Sequence, residues 1–230
     1  MGSNPRSERF EQLRGGDFMM RGAVRAVVSA VVVTAALAGC SSSSGGGDAG
    51  RNGDEFPSKA AESPAAAKGA TLGAPGSACE LPVTFDLAAD WKPEAVEVDP
   101  GSELAALGQQ GSATMVCEID AKPAGNIGYL RVWQGKGSGT TPRAALEDFL
   151  AGDPNASEAA YKATEAGSVA VAEVTYTVHL KLSDEQKTES AFAVATPEGP
   201  VVVHLGGLDS QEHEEMLPAY ELAKRTVKPA

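Results

Sequence analysis

Six stretches of the chain beyond residue 80 have patterns typical of β-strands, either an alternation of hydrophobic and polar residues or a short run rich in apolar residues. In the longest stretch, 169–182, Val174, Tyr176 and Val178 would share one side of a sheet. Gly and Pro residues separate the stretches, most clearly at 197–200. The predicted strands cover residues 83–87, 113–120, 128–133, 169–182, 189–195 and 200–205.

Other stretches repeat their apolar residues with a helical period. The first predicted helix begins with Thr141 as the N-cap and Pro142 at the first helical position, and it stops at 152–154. A shorter and weaker helical pattern covers 157–164. The apolar face of the first helix consists of Ala145, Leu146, Phe149 and Leu150.

A second clear helix is predicted close to the end of the chain. Asp209 and Glu212 have the spacing of a capping box, and Glu212 also suits the positive end of the helix dipole. We expect Pro218 to kink this helix or to reset its start. The stripe that would pack on the sheet consists of Met216, Tyr220, Ala223 and Val227.

This order of elements predicts an α+β fold, in which a largely antiparallel β-sheet is flanked by helices. The early aromatic motif of Phe85, Asp90 and Trp91, the strand order and the amphipathic C-terminal helix resemble the PsbP-like α/β/α sandwich. Within that fold, the chain over 79–228 is similar to actinobacterial LpqN-type cell-envelope lipoproteins. The resemblance implies a binding or assembly module, and it transfers no functional residues.

The N-terminal part contains an apolar run, 26–38, that is too short for a transmembrane helix, which needs about 20 residues. Arg21 and Arg25 precede it, as in a secretory signal peptide. The run ends in Leu-Ala-Gly and then Cys40, which resembles a bacterial lipobox. We therefore predict a lipoprotein signal peptide over 1–39 and palmitate or a related acyl chain on Cys40. The alternative is an ordinary secretory signal followed by a chance cysteine.

The remaining N-terminal residues divide into two parts. Residues 1–18 mix acidic and basic side chains, unlike the start of a signal peptide, so we expect the natural start at Met19 or Met20. Residues 40–78 consist mainly of Ser, Gly, Ala and Pro, which predicts a disordered, flexible tether. The rest, 79–230, has the length of one globular domain.

Net charge narrows the class of partner. The chain has 19 Lys and Arg against 31 Asp and Glu, a formal net charge of −12. Nucleic acids bind proteins largely through cationic contacts to phosphate, so we predict no nucleic-acid partner. The acidity is either a solubility trait or an attraction for cationic partners.

Two cysteines remain once Cys40 is assigned to lipidation. Cys79 and Cys117 form an even pair in an oxidising, extracytoplasmic compartment. We predict a structural disulfide that joins the first predicted strand to the second. A redox or metal role is disfavoured because the spacing is not CxxC and no nearby histidine supplies a further ligand.

Few residues match a known catalytic or metal-binding pattern. His213 begins a sequence like the HExxH zinc motif, but Leu217 stands where the second ligand is needed. We therefore expect His213 to lie in a solvated first helical turn. His179 and His204 fall in predicted strands, and we expect hydrogen-bonded sheet histidines rather than a shared metal site. The sequence contains no GxSxG or phosphate-loop pattern, so we expect no catalytic residue, metal or cofactor.

Tyr129, Arg131 and Trp133 share one side of a predicted strand, and these residue types are enriched at binding hot spots. This face is either a partner-binding surface or a surface covered by a helix. The leading hypothesis is a monomeric, lipid-anchored, non-catalytic binding or scaffold module at the outer face of the plasma membrane, with an unknown envelope protein as partner. A carrier of a small apolar or lipid-like ligand is the second hypothesis, and an envelope hydrolase is the third.

Overall fold

A computed structural model describes residues 66–230 of the chain. The strands are β1 (Lys68–Leu72), β2 (Val83–Ala88), β3 (Lys92–Ala95), β4 (Gln109–Gln110), β5 (Ala113–Asp120), β6 (Gly128–Gln134), β7 (Ala156–Ala166), β8 (Val169–Leu180), β9 (Glu185–Val194), β10 (Val201–Gly207) and β11 (Lys228–Pro229). The α-helices are α1 (Pro142–Ala151) and α2 (Ser210–Thr226).

The central layer is an eight-stranded sheet in the order β3-β5-β6-β10-β9-β8-β7, with β4 also paired to β5. Neighbouring strands pair antiparallel, and His204 of β10 lies opposite Arg131 of β6. A smaller sheet, β1-β2-β11, joins the two ends of the described chain, because Lys228 pairs with Thr84. The predicted α+β fold with a largely antiparallel sheet is confirmed.

Successive residues of a strand point to opposite sides of the sheet, so the large sheet has two faces. A different helix covers each face. On one side, the α1 face, α1 packs on β7 to β10. On the other side, the α2 face, α2 packs against β10 and β9 and also against β2 of the small sheet. The α1-face core includes Trp133, Phe149, Val174, Tyr176, Ala191 and Val202. The α2-face core includes Phe85, Leu130, Phe192, Val203, Leu205 and Tyr220.

Both clear helix predictions are confirmed. The Thr141 side chain accepts a hydrogen bond from the Ala144 backbone N–H at the start of α1. Asp209 caps α2 in the same way, accepting from the N–H of Glu212 at 2.9 Å. Pro218 lies inside α2 and does not reset its start. All members of the predicted stripe are buried: Met216, Tyr220, Ala223 and Val227.

The weaker helix predicted over 157–164 is wrong, because this segment lies within strand β7. Its Ala and Glu content favours a helix locally. However, β8 offers a long unpaired edge, and β7 pairs along it from Ala156 opposite Val178 to Ala166 opposite Val169. The tertiary pairing therefore overrides local propensity.

The predicted boundary between tether and domain is also wrong at its C-terminal end. Strand β1 lies inside the predicted tether 40–78, and its Leu72 pairs with Phe85 and is buried in the core. The fold therefore begins before Cys79, because Leu72 packs into the core and holds β1 in place. The signal peptide 1–39, Cys40 and the tether up to residue 65 lie outside the described residues.

The disulfide prediction is confirmed. Cys79 and Cys117 are bonded, with their Cα atoms 6.0 Å apart, and both are buried. Cys79 lies between β1 and β2, and Cys117 lies in β5. The bond therefore ties the chain ahead of β2 to the central sheet.

Candidate functional site

The predicted binding residues of β6 lie in two different environments. Trp133 is only 4% exposed, and its ring packs edge-on against Phe149 of α1 with 5.4 Å between centroids. The prediction of a binding face is therefore wrong at Trp133, because α1 covers that end of β6. The helix that covers it is the alternative that the sequence left open.

Tyr129 and Arg131 remain partly exposed. Arg131 Nε donates to Glu118 Oε2 of β5 at 2.7 Å, and the guanidinium carbon lies 4.7 Å from the Tyr129 ring centroid. The side chains of Arg131 and Glu118 are 32% and 30% exposed. We call Glu118, Tyr129 and Arg131 the Tyr129–Arg131 surface. Because these contacts already hold its side chains, binding there loses little side-chain entropy.

A buried polar network lies beside this surface on β8, β9 and β10. His204, opposite Arg131, donates from Nε2 to Glu189 Oε2 at 2.9 Å. Tyr176 Oη donates to the same carboxylate oxygen at 3.1 Å. Lys187 Nζ donates to Glu189 Oε1 at 2.7 Å. Glu189 therefore accepts hydrogen bonds from side chains on three adjacent strands.

The charge state of this network follows from its contacts. Burial alone would raise the pKa of the Glu189 carboxyl, but the charges and hydrogen bonds of His204 and Lys187 outweigh burial and lower this pKa to about 2. Burial, together with the Glu189 charge, raises the pKa of Tyr176 well above its ordinary value. Near neutral pH Glu189 is ionised and Tyr176 is protonated, so the network binds the three strands together.

The prediction that His213 is solvent-exposed is wrong. His213 is 3% exposed, and a hydrogen bond of 3.0 Å joins its Nε2 to Ser190 Oγ of β9. The Asp209 cap places the first turn of α2 so that His213 faces the sheet. Burial lowers the pKa of His213 to about 4, although the nearby Glu189 charge acts in the opposite direction. His213 is therefore neutral at neutral pH.

The Ser190–His213 contact has the composition of a nucleophile and its base. Ser190 is 2% exposed, so a substrate in solvent does not reach its hydroxyl. His213 Nδ1 has no hydrogen-bond partner among residues 66–230, so no carboxylate orients the imidazole as in a catalytic triad. The geometry supports a packing role for this pair.

The other two histidines are separated by strand β9. His179 lies next to the exposed β8–β9 turn, with its Nε2 2.8 Å from Asp184 Oδ1, whereas His204 is buried in the Glu189 network. Within the described part of the chain, no group of three or more His, Cys, Asp or Glu residues is placed to hold a metal ion. No helix in the same range is long and apolar enough to cross a membrane.

An open groove of about 480 Å³ lies where the start of α1 meets β7 and β8. Its floor includes three alanines, Ala163, Ala170 and Ala172, and its wall includes Pro142 and Arg143. The sequence did not indicate this groove. Small residues leave open space only where another element packs over them, and that packing is not visible in the sequence.

The model of a family described as "Uncharacterised lipoprotein" matches residues 49–227. No curated protein matches the chain. The matched region runs from within the predicted tether to Val227, the last residue of the α2 stripe.

Proposed function

We propose that this chain, which belongs to a family of uncharacterised lipoproteins, is a non-catalytic binding or scaffold module. Acyl chains on Cys40, exposed by removal of the signal peptide 1–39, would hold it at the outer face of the plasma membrane. Family membership supports the lipid anchor. The burial of Ser190 and His213 supports a binding role rather than hydrolysis.

One observation supports the binding role most directly: the Tyr129–Arg131 surface is partly exposed and already ordered. It lies on a central strand of the large sheet, next to the strands joined by the Glu189 network. Tyr and Arg are enriched among the residues that dominate binding energy at protein interfaces. The partner we propose is an envelope protein.

The test is capture of partners from detergent-solubilised envelope with the intact acylated protein. We expect a specific partner to bind the parent and to be lost, by at least tenfold, from the double variant Tyr129→Ala, Arg131→Ala. Lys92→Ala, on the exposed edge strand β3, is the matched control and should retain the partner. Equal recovery with the double variant would contradict the proposal.

The groove favours a second candidate function, a carrier of a small apolar or lipid-like ligand. Its volume of about 480 Å³ is within the range of about 300–1,000 Å³ typical of small-molecule sites. The groove lies between the start of α1 and strands β7 and β8 of the large sheet. Lipid extraction of the purified protein should then release a stoichiometric apolar compound. The groove-filling variant Ala163→Trp should lose it, whereas Ala160→Trp, on the same strand outside the groove, should not.

We also propose that the domain is a PsbP-like sandwich related to LpqN-type lipoproteins. The three layers support this relation: α1, the large sheet, and α2 with the small sheet. An experimental structure that superimposes on that fold over all three layers would establish it. A different strand order would refute it.

A further inference from the structure

A second cavity, of about 260 Å³, lies on the α1 face where α1 approaches β5 and β10, whereas the groove lies over β7 and β8. Its rim carries Lys136, Thr140 and Asp148. We call it the rim pocket. Its apolar lining consists of Ala113, Ala145, Pro200 and Val202, all buried in the fold.

The rim carries one cation and one anion, and neither is neutralised by an ion pair. Lys136 and Asp148 form no salt bridge with any residue in 66–230. Asp148 is nevertheless held in place, because its Oδ2 accepts hydrogen bonds from the backbone N–H and the hydroxyl of Ser112, both at 2.7 Å. The pocket therefore presents two opposite charges around an apolar floor.

This arrangement selects among ligand classes by charge. A simple anion would be attracted by Lys136 but repelled by Asp148, and a simple cation would meet the reverse situation. A zwitterion can complement both charges at once. The cavity is smaller than the roughly 300–1,000 Å³ of sites for drug-sized molecules, so the ligand is correspondingly small.

We propose that the rim pocket binds a free α-amino acid with a short aliphatic side chain, of the size of alanine or valine. The ligand carboxylate pairs with Lys136, its ammonium pairs with Asp148, and its side chain packs on the apolar floor. This site is separate from the Tyr129–Arg131 surface and from the groove, so it is independent of the proposed function.

The two charged groups are supported differently. Asp148 lies on α1 and is fixed by Ser112. Lys136 lies in a loop in which Gly137 and Gly139 adopt positive φ angles of 85° and 90°, a conformation that other residues rarely adopt. The loop start is closely packed, because a Cβ on Gly135 would lie 2.7 Å from Pro200 Cγ. Lys136 is therefore the adjustable side of the pocket and Asp148 the fixed side.

The test is isothermal titration calorimetry of the chain beginning at Cys40, in detergent micelles, with L-valine as the probe. Two analogues each lack one charge: 3-methylbutanoate lacks the ammonium and 2-methylpropan-1-amine lacks the carboxylate. We expect L-valine to bind at least tenfold more tightly than either analogue. No binding of L-valine or L-alanine at millimolar concentration, or equal binding of L-valine and 3-methylbutanoate, would overturn the proposal.

Variants test the assigned roles. Lys136→Met and Asp148→Asn should each weaken L-valine binding at least tenfold, and Lys136→Met should do so without lowering the melting temperature, because Lys136 is exposed. Lys122→Met, at another exposed lysine in the short 3-10 helix that follows the other end of β5, is the matched control and should bind normally. If Lys136→Met bound L-valine as tightly as the parent, the observed binding would occur at another site and the proposal would be overturned.

Discussion

Buried polar side chains decide much of the behaviour of this domain at the scale of single residues. Glu189 stays ionised in the interior because His204, Lys187 and Tyr176 all donate to its carboxylate. His213 is neutral, since it is buried against Ser190 and no carboxylate among residues 66–230 is hydrogen-bonded to its ring. The folded state thus favours an ionised carboxylate and a neutral imidazole, and both preferences are lost in acid.

His213 should make stability pH-dependent in the mildly acidic range. Its pKa is about 4 in the folded state and about 6.5 when unperturbed. As pH falls from about 6.5 to 4, the unfolded chain binds a proton that the folded chain does not, so the unfolding constant rises by up to about tenfold per pH unit. Glu189, with a pKa lowered from 4.5 to about 2, adds a further loss of stability below about pH 4.5.

Urea unfolding between pH 7 and pH 4 measures this dependence. His213→Gln should flatten the curve in that range, because glutamine does not titrate. His179→Gln, whose side chain is partly exposed, is the matched control for the loss of a histidine. An unchanged slope in His213→Gln would show that His213 is not the group responsible.

Secondary-structure elements matter here through the surfaces on which they pack. Helix α2 lies between the two sheets, and its Tyr220 is fully buried, with its ring 5.5 Å from that of Phe192. Strand β7 likewise depends on a neighbouring element, because its pairing with β8 determines that it is a strand. Each element is therefore stabilised mainly by its neighbours.

Tyr220→Asp should strongly destabilise the domain. It would place a carboxylate between the sheets, at a cost of several kcal/mol unless the charge finds a partner, against a total stability of about 5–15 kcal/mol. Glu215→Gln, on the exposed side of α2, should change stability by less than about 0.5 kcal/mol. Thermal unfolding compares the two, and similar melting temperatures would mean that α2 is not packed as described.

The disulfide should contribute substantially to stability. Cys79 and Cys117 are 38 residues apart, and the chain-entropy model gives about 4 kcal/mol for a loop of this size. The double variant Cys79→Ala, Cys117→Ala should therefore unfold at a much lower denaturant concentration. Cys79 and Cys117 of the native protein should resist alkylation until reductant is added. Labelling of either cysteine without reductant would contradict the bond.

The protein as a whole combines a predicted anchor with the folded domain. The described domain starts before Cys79, so the segment available as a tether between Cys40 and the fold is shorter than the predicted 40–78. The chain carries a net charge of −12, so electrostatic attraction to anionic lipid does not explain membrane attachment. Attachment would then depend on the acyl chains.

Cys40→Ala should release the protein from the membrane fraction or leave its signal peptide uncleaved. Acyl chains contribute about 0.8 kcal/mol per buried methylene, so their loss removes the proposed attachment. Mass spectrometry of the mature N-terminus checks this prediction, with Ser41→Ala as the control that keeps the modified cysteine. An unmodified terminus at another residue in the parent would refute lipidation of Cys40.

The Cys79–Cys117 bond was predicted from the number of cysteines, whereas local patterns in the sequence were sufficient for the strands with strict alternation, the capped helices and the α2 stripe. Their signals, such as a cap at Thr141 or Asp209, act over a few residues and are visible in one segment at a time. The predicted lipobox at Cys40 rests on a signal of the same kind. For the strands and helices, the sequence alone was enough to predict the structure. For Cys40 it supplies a prediction.

Tertiary structure decided what depends on distant neighbours. Residues 157–164 form a strand because they pair with the edge of β8. Trp133 is buried because α1 covers that end of β6. His213 was buried because the Asp209 cap turns it towards Ser190. The Glu189 network and the two cavities likewise join residues that are far apart in the chain. The physical reason is that burial, and with it pKa and accessibility, is set by which surfaces meet, and a single segment does not contain that information.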